Sequence, residues 1–293
     1  MRARALLPVL ALCAGLGGAA APAPDPSGFA DPQPVTIEGC AGDAMEPFVT
    51  RDGRLLLFND RNEAPQNTDL HWAERIEVLH YRYRGPIAGV NTAALEGVPS
   101  LDDAGELFFV SPRAYNATLM TVYRARFAGG IARGMQAVRG LASARRGLVT
   151  FDAEVSADGR WLYGAQGDFS DGKWPRAADL FVAHRTADGF ARTADSGKVM
   201  AAVNTTDLEY APSVSADGHE LFFTRTHVWM GVWPTTTIER AVRRSRAEPF
   251  SPSTTVRAAR GLVEEPSLSG DARTLVFHRK LDGRFGIWQL TRR

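Results

Sequence analysis

The chain has 293 residues, 34 Lys and Arg against 33 Asp and Glu, and a formal charge of +1. Near-neutrality without a basic stripe argues against nucleic acid as a partner. Two cysteines, Cys13 and Cys40, are too few for a disulfide framework, and a core of this size does not need one.

In chain order, Arg2 and Arg4, the apolar stretch from Ala5 to Leu16 and the small residues Ala19 to Ala21 form a secretory signal over residues 1–21. The apolar stretch is too short for a stable membrane span. Cleavage after Ala21 leaves a Pro-rich leader, residues 22–33, expected to be extended and semi-rigid. Loss of Arg2 and Arg4 takes the basic count to 32 against 33 acids, a charge of −1. Cys13 leaves with the signal, and Leu10-Ala11-Leu12 before it is a poor lipid-attachment sequence. Cys40 then remains as a lone free thiol.

Residues 34–293 form a single domain written as five copies of one phrase. Its clearest copy is Pro212-Ser213-Val214-Ser215-Ala216-Asp217-Gly218-His219-Glu220-Leu221-Phe222-Phe223, and it recurs near Pro47, Pro99, Ala153 and Pro266. The turn position falls at Gly53, Gly105, Gly159, Gly218 and Ala272, at intervals of 52, 54, 59 and 54 residues. Each phrase is a β run, a tight and mostly Asp-Gly turn, and a second β run, which is a hairpin signature. Hairpins at that interval predict an all-β fold, a five-bladed β-propeller.

A third run follows in each unit: Ile76 to Tyr83, Leu119 to Arg126, Asp179 to Arg185, Thr237 to Val242 and Gly286 to Thr291. Fourth runs are expected at Ile87 to Val90, Met135 to Val138, Val199 to Val203 and Thr254 to Val256. The last unit has none. Val35-Thr36-Ile37 stands before Glu46-Pro47 as Thr254-Thr255-Val256 stands before Glu265-Pro266, so it is expected to pair with the strand around Ile287 to Leu290 and close the ring. Closure removes sheet edges that template aggregation, and a monomer is expected.

The longer connections, Asn59 to Glu74, Ser111 to Ala117, Gln166 to Ala178, Thr224 to Thr236 and His278 to Arg284, share one rim, where binding residues usually sit. That rim also gathers acids. Glu46, Asp152 and Glu265 stand immediately before the phrase, while Glu96 and Glu209 stand three places before it in near-duplicate segments from Val90 and Val203. Arg61, Arg113, Arg225 and Arg279 follow the second strands. These pairs read either as structural salt bridges repeated with the unit or as a charged ligand site. Asymmetry is strongest at Asp69, His71 and Trp72, a carboxylate, an imidazole and an indole suited to a polar ligand, or to a loop capping its own blade. Trp174 with Asp168 and Asp171, and Trp229 and Trp233 with His227, are weaker versions. The histidines lack metal-ligand spacing, and no phosphate loop or nucleophile elbow occurs, so no metal or cofactor is expected.

Pro212 to Gly218 followed by Leu221-Phe222-Phe223 resembles the WD40-like PD40 repeats of TolB-type propellers. The resemblance implies an exported bacterial propeller, periplasmic or secreted, serving as an interaction or ligand-binding scaffold. It covers the propeller only, since TolB has a further N-terminal domain and six blades. Five blades with an acid-lined axis also look like five-bladed glycosidases, which place two carboxyls about a glycosidic bond.

The expected function is therefore binding of a carbohydrate or peptide at Glu96, Glu209, Arg113, Arg225, Asp69, His71 and Trp72. The alternative is glycan hydrolysis by Glu96 and Glu209. Acid and base roles need unequal environments, and the duplicate segments offer none.

Overall fold

The structure, a computed structural model, describes residues 25–61, 67–227 and 235–292. β1 (Phe29–Pro34) and β2 (Thr36–Glu38) lead into an antiparallel unit of β3 (Met45–Val49), β4 (Leu55–Asn59), β5 (Leu70–Glu77) and β6 (His80–Pro86). The second unit is β7 (Gly97–Leu101), β8 (Glu106–Val110), β9 (Val122–Ala128) and β10 (Ile131–Ala137). Next come β11 (Leu148–Val155), β12 (Trp161–Asp168), β13 (Ala178–Arg185) and β14 (Phe190–Arg192). A parallel contact between Ala178 and Leu208 joins these to β15 (Leu208–Val214), β16 (Glu220–His227), β17 (Thr235–Val242) and β18 (Thr254–Thr255). The last unit is β19 (Leu262–Leu268), β20 (Thr274–Leu281) and β21 (Arg284–Arg292), with β1 antiparallel on β21. The innermost strands β3, β7, β11, β15 and β19 touch in turn, and β19 touches β3. This is a β-propeller.

The positions of the repeated phrase have physical duties. Its turn residues Gly53, Gly105, Gly159, Gly218 and Ala272 have φ of 70°, 81°, 68°, 77° and 56°. Thr50, Ser156, Ser215 and Ser269 each donate a hydroxyl to the turn aspartate two residues on, at 2.6 Å. Ala272 alone holds the left-handed turn conformation without being glycine, at a cost that Gly avoids. Ala272→Gly is therefore expected to stabilise the chain by about 0.5 kcal/mol after the extra chain entropy of glycine is counted. Urea unfolding checks this, and a lower midpoint would refute it.

The start of the phrase is a bulge. Each innermost strand shifts register there. Glu46, Val98, Ala211 and Glu265, each followed by proline, take φ of 49°, 53°, 54° and 57°. Such strain persists only where neighbours fix it. Here the neighbouring unit accepts each bulge N–H: Val98 donates to Glu46 Oε2 at 3.0 Å, Ala211 to Asp152 Oδ2 at 2.9 Å, Glu265 to Thr224 Oγ1 at 3.0 Å and Glu46 to His278 Nδ1 at 3.1 Å. One layer deeper, the phrase serine accepts an N–H from the next innermost strand: Val49 to Ser267, Val155 to Ser100 and Leu268 to Ser213, at 3.0–3.2 Å.

Apolar residues fill the spaces between units. Phe48, Leu57 and Trp72 pack with Leu107 and Phe109, and Phe108 packs with Leu162 and Phe181. Leu56 packs with Val276 and Ile287, joining the first unit to the last. Each such fully buried side chain contributes roughly 1.5–3 kcal/mol.

Several expected strands lie elsewhere. The run Ile76 to Tyr83 contains a hairpin turn, with Leu79 at φ 62°, so the third strand is β5 and the fourth is β6 rather than Ile87 to Val90. Val199 to Val203 is not the fourth strand of the third unit: β14 is, and Ser196–Val199 forms a single helical turn. The strand on β21 is β1, which begins in the expected leader and ends one residue beyond it, and not Val35 to Ile37. Val35 N–H still donates to Ile287 O at 2.8 Å, whereas Thr36 to Glu38 run parallel to β6. Pro32 and Pro34 are tolerated because an edge strand needs donors on only one side. The signal segment and Cys13 lie outside the described residues. No helix among the described residues is long and apolar enough to cross a membrane.

Candidate functional site

Glu96 and Glu209 occupy equivalent, fully buried positions. Glu96 accepts from Thr92 N at 2.6 Å, Thr92 Oγ1 at 2.9 Å and Ser111 Oγ at 2.8 Å, and pairs with Arg113 at 2.9 Å. Glu209 accepts from Thr205 N at 2.9 Å and Thr205 Oγ1 at 2.7 Å and pairs with Arg225 at 2.7 Å. Both arginines also donate to a backbone carbonyl, Arg113 to Val90 at 2.6 Å and Arg225 to Val203 at 2.8 Å. The duplicate segments are connectors: Asn91 exchanges hydrogen bonds with the backbone of Leu70 and Asn204 with that of Leu180, tying each connector to the preceding unit. Their side chains are engaged within the protein in similar environments, which differ in that Ser111 also donates to Glu96 and Arg225 also lies 3.6 Å from Glu239. Glu96→Ala is expected to cost about 3 kcal/mol, because it leaves the Arg113 charge without its partner; a change below about 1 kcal/mol in urea unfolding, the scale of an exposed pair, would refute this.

Around Asp69, His71 and Trp72 the structure turns Trp72 away from the other two, while Asp69 and His71 stay within electrostatic reach of each other beside Asp60. Trp72 is 9% exposed and packs edge-on against Phe127 in the core between the first two units. His71 stacks on Phe58, and its Nδ1 lies 2.8 Å from Tyr83 Oη; burial lowers its pKa. Asp69 is pushed above the usual carboxylate range by burial and by Asp60. Arg61 pairs with Asp60 at 3.3 Å, and Arg279 lies over Trp288. Asp168 is drawn well below the usual range by Ser170, Arg176 and Arg145. Asp171 pairs with Arg176 at 3.1 Å, and His227 meets Asp207 at 2.8 Å. Trp174 is 86% exposed. Trp229 and Trp233 lie outside the described residues. Cys40 is half-buried, and burial pushes its thiol up, away from reactivity.

The ring axis holds a second group of acids. Burial pushes Glu46 up to about 8, reinforced by Asp152, and pushes Asp152 up to about 7. Burial, then Asp152 and Glu46, raise Glu265 well above its ordinary value. Glu264 is different: burial raises it, but hydrogen bonds from His278 and Tyr210 outweigh that and hold it low. Since Glu46 N–H donates to His278 Nδ1, the imidazole proton sits on Nε2 and faces Glu264 Oε2 at 3.2 Å. The bulges enclose a cavity of about 20 Å³, lined by Glu46, Glu154 and Glu265 among others. That is space for about one water.

Arg51 closes the axis beneath this cavity. It donates to Glu154 Oε1 at 3.1 Å and to the carbonyls of Val155, Val214 and Leu268 at 3.1–3.3 Å, so one guanidinium ties three units together. Glu154 also accepts Val214 N–H at 2.9 Å, the duty of serine elsewhere. Burial raises the Glu154 carboxyl despite the Arg51 charge. Neither residue stands out as functional in the sequence. The signal is their departure from the phrase: Arg51 stands where Ala157, Ala216 and Gly270 stand, and Glu154 where Ser100, Ser213 and Ser267 stand. Among the described residues no group of acids, histidines and cysteines is arranged to hold a metal.

Comparison with protein families finds no match, and neither does comparison with curated proteins. Solved propellers are similar in fold. A glycoside hydrolase matches at 12% identity and TM-score 0.59, covering 89% of this chain and 90% of its own. The catalytic domain of the GH62 α-L-arabinofuranosidase of Coprinopsis cinerea matches at 10% identity and TM-score 0.57, covering 90% of this chain and 95% of its own. TolB from Acinetobacter baumannii matches at 14% identity and TM-score 0.46 over 85% of this chain, which spans 54% of the TolB chain. At these identities the likeness is one of fold.

Proposed function

We propose that this protein is an exported binding module, a five-bladed propeller of the PD40 type closed by β1, which takes a carbohydrate or peptide on its loop-rich rim and does not turn it over. The observation that carries this reading is the closed axis. Glu46, Glu154 and Glu265, whose pKa values are raised, line a cavity of about 20 Å³, too small for a sugar ring, above the Arg51 plug. The remaining rim acids, Glu96 and Glu209, lack the inequality that an acid and a base require.

Glycoside hydrolysis is the second reading. It is favoured by the carboxyls of Glu46 and Asp152, raised to about 8 and about 7, since a catalytic acid must hold its proton near neutrality.

The test is a panel of glycans and peptides scored for both binding and product release, with wild type, Glu96→Gln and Glu209→Gln. Binding without release is expected. Release by the wild type, whether abolished by either substitution or surviving both, would overturn the reading, and so would a wild type that binds no member of either panel. Export has its own check: mass spectrometry of the protein from its native host should show a monomer starting near Pro22 with one alkylatable thiol, and an intact Met1 would contradict it.

A further inference from the structure

Away from the axis, the third unit carries a groove of about 260 Å³. Leu148, Gln166, Asp168, Asp179, Leu180 and Arg192 line it. The strands fix these positions: Leu148 pairs with Asp168 across β11 and β12, Gln166 with Asp179 across β12 and β13, and Arg192 lies on the outer strand β14. The volume is just below the roughly 300 Å³ at which small-molecule sites begin, which suits one sugar-sized body.

The lining is polar, of both signs, and unspent. Among the described residues, neither the Asp179 carboxylate nor the Arg192 guanidinium has a hydrogen-bond or ion-pair partner. They do not reach each other, so both signs face the same space. Arg192 is held over the Phe181 ring, 3.9 Å from its centroid. Gln166 reaches only Thr150 Oγ1, at 3.5 Å. Asp168, in contrast, is saturated by Ser170, Arg145 and Arg176 and forms a fixed wall. Burial, then Glu209, raises the Asp179 carboxyl, the signature of an acceptor without donors.

We propose that this groove is a saccharide site, in which vicinal hydroxyls donate to Asp179 and accept from Arg192 while a C–H face rests on Leu148 and Ala177. This rests on the rim-binding reading and names its ligand class and place. A sugar supplies closely spaced donors and acceptors on a small body with an apolar face, which is what this lining lacks. A free amino acid also carries both signs, but it leaves Trp174 without a role. That indole is 86% exposed on the loop that returns to the groove wall at Ala177, where it offers a stacking plane to a chain leaving the groove.

The test is calorimetric titration of the whole mature chain with neutral tetrasaccharides of glucose, xylose, arabinose, galactose and mannose, and separately with leucine. Wild type should bind at least one tetrasaccharide. Asp179→Asn and Arg192→Gln should each weaken that binding at least tenfold while still unfolding cooperatively, since both residues lie at the surface and Arg192 gives up only its contact with Phe181. Trp174→Ala should weaken the tetrasaccharide more than the matching monosaccharide. Tetrasaccharide binding untouched by all three substitutions would overturn the groove and leave the rim-binding reading standing. Leucine bound and no saccharide bound would overturn the ligand class. No binding of either probe would overturn the proposal, and the peptide panel would then decide the broader reading.

Discussion

Replacing Arg51 with methionine is expected to cost about 3–5 kcal/mol of unfolding free energy, because it strands a buried carboxylate and removes donors from three backbone carbonyls. Glu154→Ser alone should cost a similar amount, since it strands the guanidinium instead. Together the two substitutions give the third unit what the second, fourth and fifth already have, a serine that accepts the next strand's N–H, and remove the ion pair at this level. The double variant should therefore recover at least about 2 kcal/mol relative to Arg51→Met, as expected for directly coupled residues. Urea unfolding of the four proteins measures it. A double variant no more stable than Arg51→Met would show that Arg51 and Glu154 do not act as one plug.

The second large effect is on pH. Glu46 and Asp152 have folded-state pKa values of about 8 and about 7 against ordinary values of 4.5 and 3.8. Between those limits the folded state binds more protons than the unfolded state, so stability falls as pH rises. The contribution is complete below about pH 4 and is lost as pH rises through about 7 and about 8. At about 1.4 kcal/mol per pKa unit the loss is on the order of several kcal/mol. Glu265, also raised, acts in the same sense. Glu154, Asp69, Asp102 and Asp179, raised by burial, also act in this sense, and other groups act outside this window or against it. Glu264, held low, contributes stability that is lost only in acid, below its ordinary value of 4.5. His71, lowered from 6.5, works in the opposite sense below that value. The clearest interval is therefore about pH 6.5 to 8.5, over which the melting temperature should fall, and Glu46→Gln should flatten the slope. A melting temperature that rises over that interval would contradict the protonated axis.

The hairpins are legible in the sequence because each combines local turn chemistry with a short, continuously buried apolar run, and those signals need no knowledge of the rest of the ring. The outer strands are less so. β14 is three residues long, too short to show a period, and β1 contains two prolines and is decided by pairing with β21, remote in sequence. At the site, repetition misdirects attention. Glu96 and Glu209 recur because the connectors recur, and their carboxylates are engaged within the protein. The residues that break the symmetry, Phe48, Arg51 and Glu154, read as noise in a degraded phrase, although each replaces a small or hydroxylated residue near the axis. Trp72 resembles a binding indole in the bare sequence, but its place beside Phe127 depends on the next unit, which the local sequence does not show.

The central claim is binding without turnover. It is tested most directly by proton NMR of the anomeric region while any glycan that binds is held with wild-type protein for days in mildly acidic buffer. The account expects an unchanged substrate spectrum. New reducing-end signals that grow with wild type and vanish with Glu46→Gln or Asp152→Asn would contradict it and make the axis an active site.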